Sequence, residues 1–284
     1  MKKYYHFAGM DFCIEVSEEN KYLEDGKLAS FVVESVENPH YFKLELVEAL
    51  ESPEGECVAI EPNFRVYSDG KKNVRYIGAT QQKWENAYIR ASHMNKVHEA
   101  QFIKRQYPKG INARAILNVL AAEHLIARNH GVILHASYIA WRDRAILFTA
   151  PSGTGKSTQA ELWKDLRGAQ IINGDRVAIR LEQGKLLAEG IPFAGSSKYC
   201  ENRSLPLAAV VYLGQAPTTT IRRMKGAEAF MRIWEGCSVN TWDREDVRLI
   251  SDLVTNLVQT VPIYHLTCTP DESAVVALEH ELRK

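Results

Sequence analysis

Apolar and polar residues alternate in the first third of the chain. Residues 12–16 and 42–46 place an apolar side chain at every second position, which is the pattern of strands with one buried and one wetted face. Asp69-Gly70 lies between two further short apolar runs and predicts a hairpin turn. We therefore expect residues 1–108 to form a smaller, β-rich N-terminal domain.

The pattern changes after Pro108 and Gly110, two residues that interrupt regular structure. Apolar residues then recur at helical intervals from Ala113 to Leu125, which predicts a single amphipathic helix. A basic residue and a glycine follow it, as is typical of a helix C-terminus. We place the domain boundary just before this helix, so that residues 109–284 form the second domain.

In the second domain, short apolar runs are separated by helical patterns. They predict strands at residues 132–139, 145–148, 169–172, 208–213, 219–223 and 263–267, a hairpin around 182–184, and helices at 156–166, 226–235 and 243–259. A last helix opens with Thr269 and Glu272 at capping-box spacing and with Pro270 in the first turn. We expect an α/β fold in which helices wrap a mixed sheet.

A glycine-rich segment lies between the strand at 145–148 and the helix that follows. It consists of Ala150, Pro151, Ser152, Gly153, Thr154, Gly155, Lys156, Ser157 and Thr158. It fits the phosphate-loop pattern, with alanine in the first glycine position. In that pattern the glycines turn backbone N–H groups toward a triphosphate, Lys156 contacts the β- and γ-phosphates, and Ser157 offers a hydroxyl to Mg²⁺. The sequence thus predicts ATP and Mg²⁺ as ligands; the alternative is a ligand-free connection between strand and helix.

Phosphoryl transfer also needs a group that activates the acceptor. Asp175 is the first candidate because it closely follows the apolar strand at 169–172; the alternative is an aspartate that bonds its own turn. His135 precedes Ala150 by fifteen residues. A lone strand histidine is more often a packed residue than a catalytic one.

Cations that balance charge on the transferring group are the next requirement. Arg222 and Arg223 are candidates, with a solvated strand end as the alternative. Residues 196–199 follow a Gly-Pro-containing stretch in a loop suited to substrate or nucleotide, or in an ordinary connection. Three acids, Asp243, Glu245 and Asp246, are interpreted as surface residues that complement a helix dipole.

Composition limits the kinds of partner and the cellular location that we expect for this protein. The 284 residues include 35 basic and 35 acidic ones, a formal net charge of zero, so no global field attracts nucleic acid or an anionic membrane. There is no membrane-length apolar run and no signal-peptide core, so we expect a cytoplasmic protein without membrane contact. Five widely spaced cysteines predict reduced thiols. His93 and His98 are interpreted as surface or loop histidines.

The spacing of His135, the segment 150–157 and the Asp-Arg-Val run at 175–177 resembles that of the HPr kinase/phosphorylase and PEP carboxykinase superfamily. More specifically, the chain resembles HPr-kinase-related proteins that carry a separate N-terminal β domain. The resemblance covers roughly residues 130–268. It implies an HPr-kinase/PEP-carboxykinase-like P-loop core with a mixed sheet, preceded by the β-rich domain.

This resemblance also implies roles for particular residues. Asp175 corresponds to the base that accepts a serine hydroxyl proton, with His135 beside it, Lys156 on the phosphates of ATP, and Mg²⁺ held partly by Ser157. Related enzymes act on a serine in a carrier protein, on a precursor peptide or on free serine, and the acceptor does not carry over. They form closed oligomers, so a homo-oligomer is an expectation from the resemblance alone.

The sequence departs from the family pattern at two positions. The first of two adjacent family acids is Gly174 here, so a second metal ligand besides Asp175 must come from elsewhere, with Glu189 and Glu201 as candidates. Thr158 stands where HPr kinase has glutamate, which is closer to the carboxykinases.

Three functions follow from these observations. The leading one is an ATP- and Mg²⁺-dependent kinase that phosphorylates a serine hydroxyl of a peptide, a protein or a small amino-acid-like substrate. The alternatives are a nucleotide-binding regulatory switch without transfer and a PEP-carboxykinase-like enzyme. The latter would need several more arginines and a second metal.

Overall fold

The computed structural model describes residues 1–17, 25–78 and 84–284. The chain divides into two compact units, Met1–Ala121 and Ala122–Lys284. Both are built on mixed β-sheets, so the α/β class that the sequence predicts is confirmed for the second unit, where helices cover the sheet.

The first unit contains a nine-stranded sheet in the order β3-β1-β2-β4-β9-β8-β7-β6-β5. Its strands are β1 Lys2–Phe7, β2 Met10–Val16, β3 Val32–Val33, β4 His40–Val47, β5 Glu56–Ile60, β6 Phe64–Ser68, β7 Asn73–Ile77, β8 Ile89–Met94 and β9 Val97–Ile103. Three 3-10 helices are described, at Gly26–Phe31, Trp84–Asn86 and Lys104–Gln106, and one α-helix, α1, at Ala113–Val119. The hairpin predicted at Asp69-Gly70 is confirmed, because β6 and β7 pair antiparallel across it.

The two histidines predicted at surface or loop positions lie in paired strands instead. His93 in β8 stands directly opposite His98 in β9, and His98 is buried with its ring stacked on that of Phe42. Its two nitrogens lie 3.1 Å from Nδ1 of His40 and 3.2 Å from Nδ1 of His93. The prediction was wrong because a spacing of five across a tight hairpin places both residues opposite each other on the same sheet face.

The single helix predicted from Ala113 to Leu125 is two helices. α1 ends at Val119, and α2, Ala122–Arg128, begins after Ala121, whose φ of 48° is left-handed. The apolar spacing runs on across this break, so periodicity alone does not reveal it. The boundary between the two units falls at the same point of the chain. α1 belongs to the first unit and packs against its 3-10 helix Gly26–Phe31.

The second unit contains an eight-stranded sheet. Its strands are β10 Gly131–Trp141, β11 Arg144–Thr149, β12 Gln170–Asn173, β13 Arg176–Glu182, β14 Lys185–Gly190, β15 Ser204–Gln215, β16 Thr220–Met224 and β17 Ile263–Cys268. Besides α2, its helices are α3 Lys156–Arg167, α4 Gly226–Trp234, α5 Arg244–Thr260 and α6 Glu272–Leu282. Every strand and helix predicted for this unit after residue 131 is confirmed within a few residues, including the hairpin between β13 and β14.

This sheet is mixed and is covered on both faces. β15 pairs parallel with β11 and with β17, whereas β10 pairs antiparallel with β11, β12 and β13. One core cluster joins the sheet to α3 and α6, and the other joins it to α4 and α5. Successive residues of β11 enter opposite clusters, Phe148 on the α3 side and Leu147 on the other, as the alternation of side chains along a strand requires.

The start of α6 differs from the prediction. Asp271 is the N-cap residue, and its carboxylate accepts a hydrogen bond from the backbone N–H of Ser273 at 2.8 Å. Thr269 and Pro270 therefore precede the helix, and the capping-box spacing from Thr269 to Glu272 is not used. Aspartate is at least as effective an N-cap as threonine, and Asp271 was not considered for this position from the sequence.

None of the helices in the described ranges 1–17, 25–78 and 84–284 has both the length and the apolar character that a membrane span requires.

Candidate functional site

The glycine-rich loop, residues 150–155, connects the end of β11 to the start of α3. Gly153 has a φ of 79°, and Gly155, the N-cap of α3, has a φ of 113°. Both angles are strained for any residue with a Cβ. A Cβ at either position would meet no atom within 4 Å, so the space beside the loop is open. The loop thus presents glycine backbone and an uncapped helix N-terminus to an empty volume, which is the arrangement that binds anions.

Lys156 is folded back over this loop. Its ammonium group donates hydrogen bonds to the carbonyl oxygens of Ala150 at 2.9 Å and Pro151 at 3.2 Å. The side chain is buried, and burial lowers the pKa of Lys156, against an opposing effect of the Asp175 carboxylate. A cation that is only partly solvated gains most from a negatively charged ligand.

Sheet topology brings Asp175 and His135 to the same place. β11 and β12 both run antiparallel to β10, so their C-terminal ends lie at one edge. Ala136 of β10 pairs with Thr149 at the end of β11, and its backbone N–H donates to the carbonyl oxygen of Asp175 at 3.0 Å. His135, the neighbour of Ala136, consequently lies beside both the glycine-rich loop and Asp175.

His135 and Asp175 are in contact. The distance from His135 Nε2 to Asp175 Oδ1 is 3.5 Å, and Arg176 Nε lies 3.5 Å from Asp175 Oδ2. Burial lowers the pKa of His135, and the nearby cations Lys156 and Arg176 lower it further, with only Asp175 acting the other way. The imidazole is therefore mainly neutral at pH 7, and the Asp175 side chain beside it lines the cavity.

Asn173, the last residue of β12, fixes the backbone that carries Asp175. Its Oδ1 accepts hydrogen bonds from the backbone N–H groups of Asp175 at 2.9 Å and Arg176 at 3.1 Å. Its Nδ2 donates to the carbonyl oxygen of Ile191 at 2.9 Å, and the residue is fully buried. The turn chemistry expected of Asn-Gly-Asp is therefore supplied by the asparagine, which leaves the Asp175 carboxylate unused by its own turn.

The loop at residues 195–199 lies against this strand end. A Cβ at Gly174 would lie 2.3 Å from Ser197 Oγ, and a Cβ at Gly195 would lie 2.8 Å from Asp175 Cγ. The space that a side chain at position 174 would need is thus filled by the side chain of Ser197. Tyr199 anchors the loop to α3, because its hydroxyl donates to Glu161 at 2.9 Å.

These elements enclose a cavity of about 450 Å³, within the range of small-molecule sites. The predicted residues that line it are His135, Ser152, Gly153, Gly155, Lys156, Ser157, Thr158 and Asp175. Residues 196–199, which the sequence marked as a loop suited to ligand contact, line it as well. The backbone carbonyls of Ala150 and Pro151 hold Lys156, and Thr154 lies in the loop without lining the cavity.

Four other predicted residues do not reach the cavity. Glu189 is buried in a bidentate ion pair with Arg180, both distances being 3.0 Å, and Glu201 bonds Gln170. Arg222 pairs with Glu228 on the solvent side, and Arg223 is exposed on the same strand. The Glu189 carboxylate is thus paired with arginine away from the cavity, and its role as a metal ligand stays a prediction.

One group of three potential metal ligands occurs in the described part of the chain: His124, Asp243 and Asp246. Arg128 occupies it, with contacts of 3.1 Å to each aspartate. Asp246, interpreted from the sequence as a surface acid, is fully buried. Its carboxylate also accepts hydrogen bonds from His124 and Asn240. This cluster is a charge network between α2 and α5 and already contains its cation.

Residues 111–273 match the family described as ScmC, SynChlorMet cassette protein ScmC. The chain belongs to the ScmC family. The matched segment contains every residue that lines the cavity, so the family region and the candidate site coincide. A comparison with curated proteins gives no match.

Among solved structures, this ScmC-family chain is similar to the Hpr(Ser) kinase/phosphatase from Coxiella burnetii. The identity is 12%, the match covers 53% of this chain and 97% of that chain, and the TM-score is 0.33. The superfamily resemblance stays a prediction, and the geometry of the ScmC-family site is the basis of its proposed function.

Sequence reasoning missed the role of Asn173, the contact of Ser197 with Gly174 and the pair of Tyr199 with Glu161. A signal existed for Asn173, because asparagine before glycine is typical of a turn that bonds its own backbone. No local signal exists for the other contacts, since Tyr199 and Glu161 are 38 residues apart and meet only in the folded chain.

Proposed function

We propose that this protein is an ATP-dependent kinase that transfers the γ-phosphoryl group to a serine hydroxyl. The observation that supports this most directly is the convergence of three separate elements on one cavity: the glycine-rich loop with Lys156, the His135 position of β10, and Asp175 after β12. A nucleotide site alone needs only the first of them. The carboxylate beside a neutral imidazole, on the wall facing Lys156, supports transfer.

The cavity fits the ligands of such a reaction. An open volume beside Gly153 and Gly155 accommodates phosphate oxygens, and the N-terminus of α3 favours their charge. Ser157 and Asp175 supply a hydroxyl and a carboxylate in one cavity, the oxygen donors that Mg²⁺ accepts alongside phosphates and water. When bound, Mg²⁺ would neutralise charge on the phosphates.

The residues then have distinct tasks. The Asp175 carboxylate accepts the proton of the acceptor hydroxyl as the new oxygen–phosphorus bond forms and the bond from the γ-phosphorus to the β,γ-bridging oxygen breaks. Lys156 leaves the carbonyl oxygens of Ala150 and Pro151 and balances charge on the departing ADP. Neutral His135 contacts Asp175 and orients its carboxylate.

The acceptor is proposed at the level of a serine-bearing peptide, protein or small amino-acid-like molecule. The test combines the protein with γ-labelled ATP, Mg²⁺, a set of serine peptides and free serine. Asp175→Asn is expected to lower transfer by about 10²- to 10⁴-fold while ATP binding, measured by calorimetry, stays within a few-fold. Asp165→Asn, an exposed aspartate on α3, is the matched control and should leave transfer unchanged.

Two outcomes would overturn the proposal. If label leaves ATP only to water, or not at all while ATP binds, the protein is a nucleotide-dependent switch. If oxaloacetate with ATP yields phosphoenolpyruvate, it is a carboxykinase. Retention of full transfer by Asp175→Asn would remove Asp175 as the base.

A further inference from the structure

The cavity wall opposite the glycine-rich loop carries a serine beside the proposed base. Gly195 packs so closely on Asp175 that a Cβ there would lie 2.9 Å from Oδ2. Ser196 is the next residue, is exposed and lines the cavity. Consecutive Cα atoms are 3.8 Å apart, so Ser196 is one residue from this contact and shares the cavity with Asp175.

Ser196 and Ser197 differ in how their hydroxyls are used. Ser197 Oγ accepts a hydrogen bond from the backbone N–H of Tyr199 at 3.1 Å and fills the space beside Gly174. Ser196 makes no side-chain hydrogen bond to any residue within the ranges that the structure describes. Of the two, only Ser196 therefore has a hydroxyl available to react.

The segment that carries Ser196 is held at both ends. Ser197 N–H donates to the carbonyl oxygen of Ala194 at 2.8 Å, which closes a tight turn around Ser196. Downstream, Tyr199 is bonded to Glu161 at 2.9 Å and to Lys164 at 3.0 Å, both on α3. Such anchoring keeps a reactive group near its reaction geometry, which is the main requirement in phosphoryl transfer.

The surroundings also suit the product. Lys198 lines the cavity, with its ammonium group 5.0 Å from the centre of the Tyr199 ring, and no ion pair of Lys198 occurs in the described ranges. A phosphoserine carries about two negative charges at neutral pH. Lys198, two residues from Ser196, is a cation held in no salt bridge within the described residues, with Glu161 close enough to feel its charge, and a phosphate at Ser196 would attract it.

We propose that Ser196 is a phosphoryl acceptor of the protein's own site, modified within the same chain. The inference rests on the proposed function and adds an acceptor to it. The Asp175 carboxylate takes the Ser196 hydroxyl proton, Ser196 Oγ forms a bond to the γ-phosphorus of ATP, the bond to the β,γ-bridging oxygen breaks, and ADP leaves. The products are phosphoserine, ADP and the proton, which Asp175 then releases to solvent.

The experiment uses the full chain with Mg²⁺ and γ-labelled ATP and no added acceptor. Intact mass spectrometry is expected to show one added phosphoryl group per chain, and peptide mapping is expected to place it on Ser196. Ser196→Ala should lose this label completely, and Ser196→Thr should retain it at a reduced rate. Ser251→Ala, a change on α5 away from the cavity lining, is the matched control and should be labelled like the wild type.

Concentration dependence tests the intramolecular step. The first-order rate of labelling is expected to stay constant over a hundredfold range of protein concentration. A rate proportional to concentration would show transfer between copies and overturn the inference in its present form. Label mapped to a residue other than Ser196 would overturn it as well.

The failure of this inference is distinguishable from failure of the proposed function. If added serine acceptors are labelled while Ser196 is never modified, the kinase assignment stands and the self-acceptor is wrong. If neither is labelled although ATP binds, the kinase assignment itself fails.

Discussion

At the scale of single residues, Asp175 is placed by neighbours that carry no charge. Asn173 accepts hydrogen bonds from the backbone N–H groups of Asp175 and Arg176 and is itself held by donating to Ile191, and Gly174 makes room for Ser197. Any side chain at position 174 would meet Ser197 directly, because its first atom would already be too close. The glycine at position 174 and the approach of the loop at residues 195–199 are therefore one structural feature.

This coupling predicts the effect of Gly174→Ala. The new Cβ would lie 2.3 Å from Ser197 Oγ and 2.9 Å from Ser197 Cβ, so the loop must shift and displace Asp175. Misplacement by about 1 Å costs roughly 100-fold in rate. The measurement is kcat for phosphoryl transfer, with ATP affinity as the control that the glycine-rich loop is intact.

Ser197→Gly removes both atoms with which the new Cβ would collide. The double variant Gly174→Ala/Ser197→Gly should therefore recover most of the lost rate, a coupling that a double-mutant cycle measures directly. A double variant as slow as Gly174→Ala would show that residue 174 acts in another way.

His135 gives a prediction for pH. Its pKa is lowered from its ordinary value of 6.5, chiefly by burial and then by Lys156, so the neutral form that the mechanism requires persists below pH 6.5. We expect the rate of transfer to be maintained at pH 6.5 and to fall only in more acid solution. In the His135→Asn variant, the part of this acid decrease that is due to histidine protonation should be absent. A limb centred above pH 6.5 in the wild type would contradict this.

The same shift affects stability in a defined direction. A histidine whose folded-state pKa lies below its unfolded value binds more protons when unfolded, so stability falls as pH drops below that unfolded value. His135→Asn should weaken this dependence.

At the scale of elements, the sequence predicts the second unit better than it predicts the joints between its elements. β10, β11, α3 and α5 begin and end within a few residues of the predicted bounds, because strong apolar periodicity marks elements whose faces are buried. The prediction was wrong at the break between α1 and α2 and at the cap of α6. Helix breaks and caps depend on one or two residues and on packing, which periodicity does not contain.

The joint between α2 and α5 carries a prediction of its own. Asp246 is fully buried, and its carboxylate accepts hydrogen bonds from His124 at 2.8 Å, Asn240 at 2.9 Å and Arg128 at 3.1 Å. Desolvation raises the pKa of Asp246, but the bonds from His124 and Asn240 and the nearby charges outweigh it, and the net pKa is lowered. Asp246→Asn should destabilise the unit by about 2–3 kcal/mol at pH 7, since the partners lose a buried charge.

The sign of the pH dependence follows. A carboxyl whose folded-state pKa is lowered contributes stability above its unfolded pKa of about 3.9 and loses it as pH falls through the folded value. The difference between wild type and Asp246→Asn should thus be complete at pH 7 and shrink below about pH 4. Hydrogen exchange of α5 measures it. Asp252→Asn, an exposed residue of the same helix, should change stability by less than about 0.5 kcal/mol at either pH.

At the scale of the whole molecule, charge is balanced. The formal net charge is zero, so ATP would be attracted by local groups, the helix N-terminus and Lys156, rather than by a global field. A ligand that binds only the folded state raises the free energy of unfolding.

ATP with Mg²⁺ at about 100 times its Kd should stabilise the unit Ala122–Lys284 by about 2.7 kcal/mol. For a domain of this size that corresponds to a rise in Tm of roughly 5–10 °C. Scanning calorimetry measures the rise, and hydrogen exchange assigns it to this unit. Lys156→Ala should remove most of the rise, whereas Lys185→Ala, exposed on β14, should not. An unchanged Tm in the wild type would contradict nucleotide binding.

The sequence by itself determined the order of strands and helices in the second unit, the glycine-rich loop and its lysine, and the candidacy of His135 and Asp175. Each of these is a local signal: an apolar period, glycines at positions that need left-handed backbone, or a polar residue at the end of an apolar run. The tertiary structure alone decided which candidates meet. Strand pairing joined His135 to Asp175 across 40 positions of sequence, buried Glu189 against Arg180, and left Arg222 in solvent. Those outcomes depend on register and on the packing of distant segments, where many residues contribute to one contact and no short stretch of sequence specifies it.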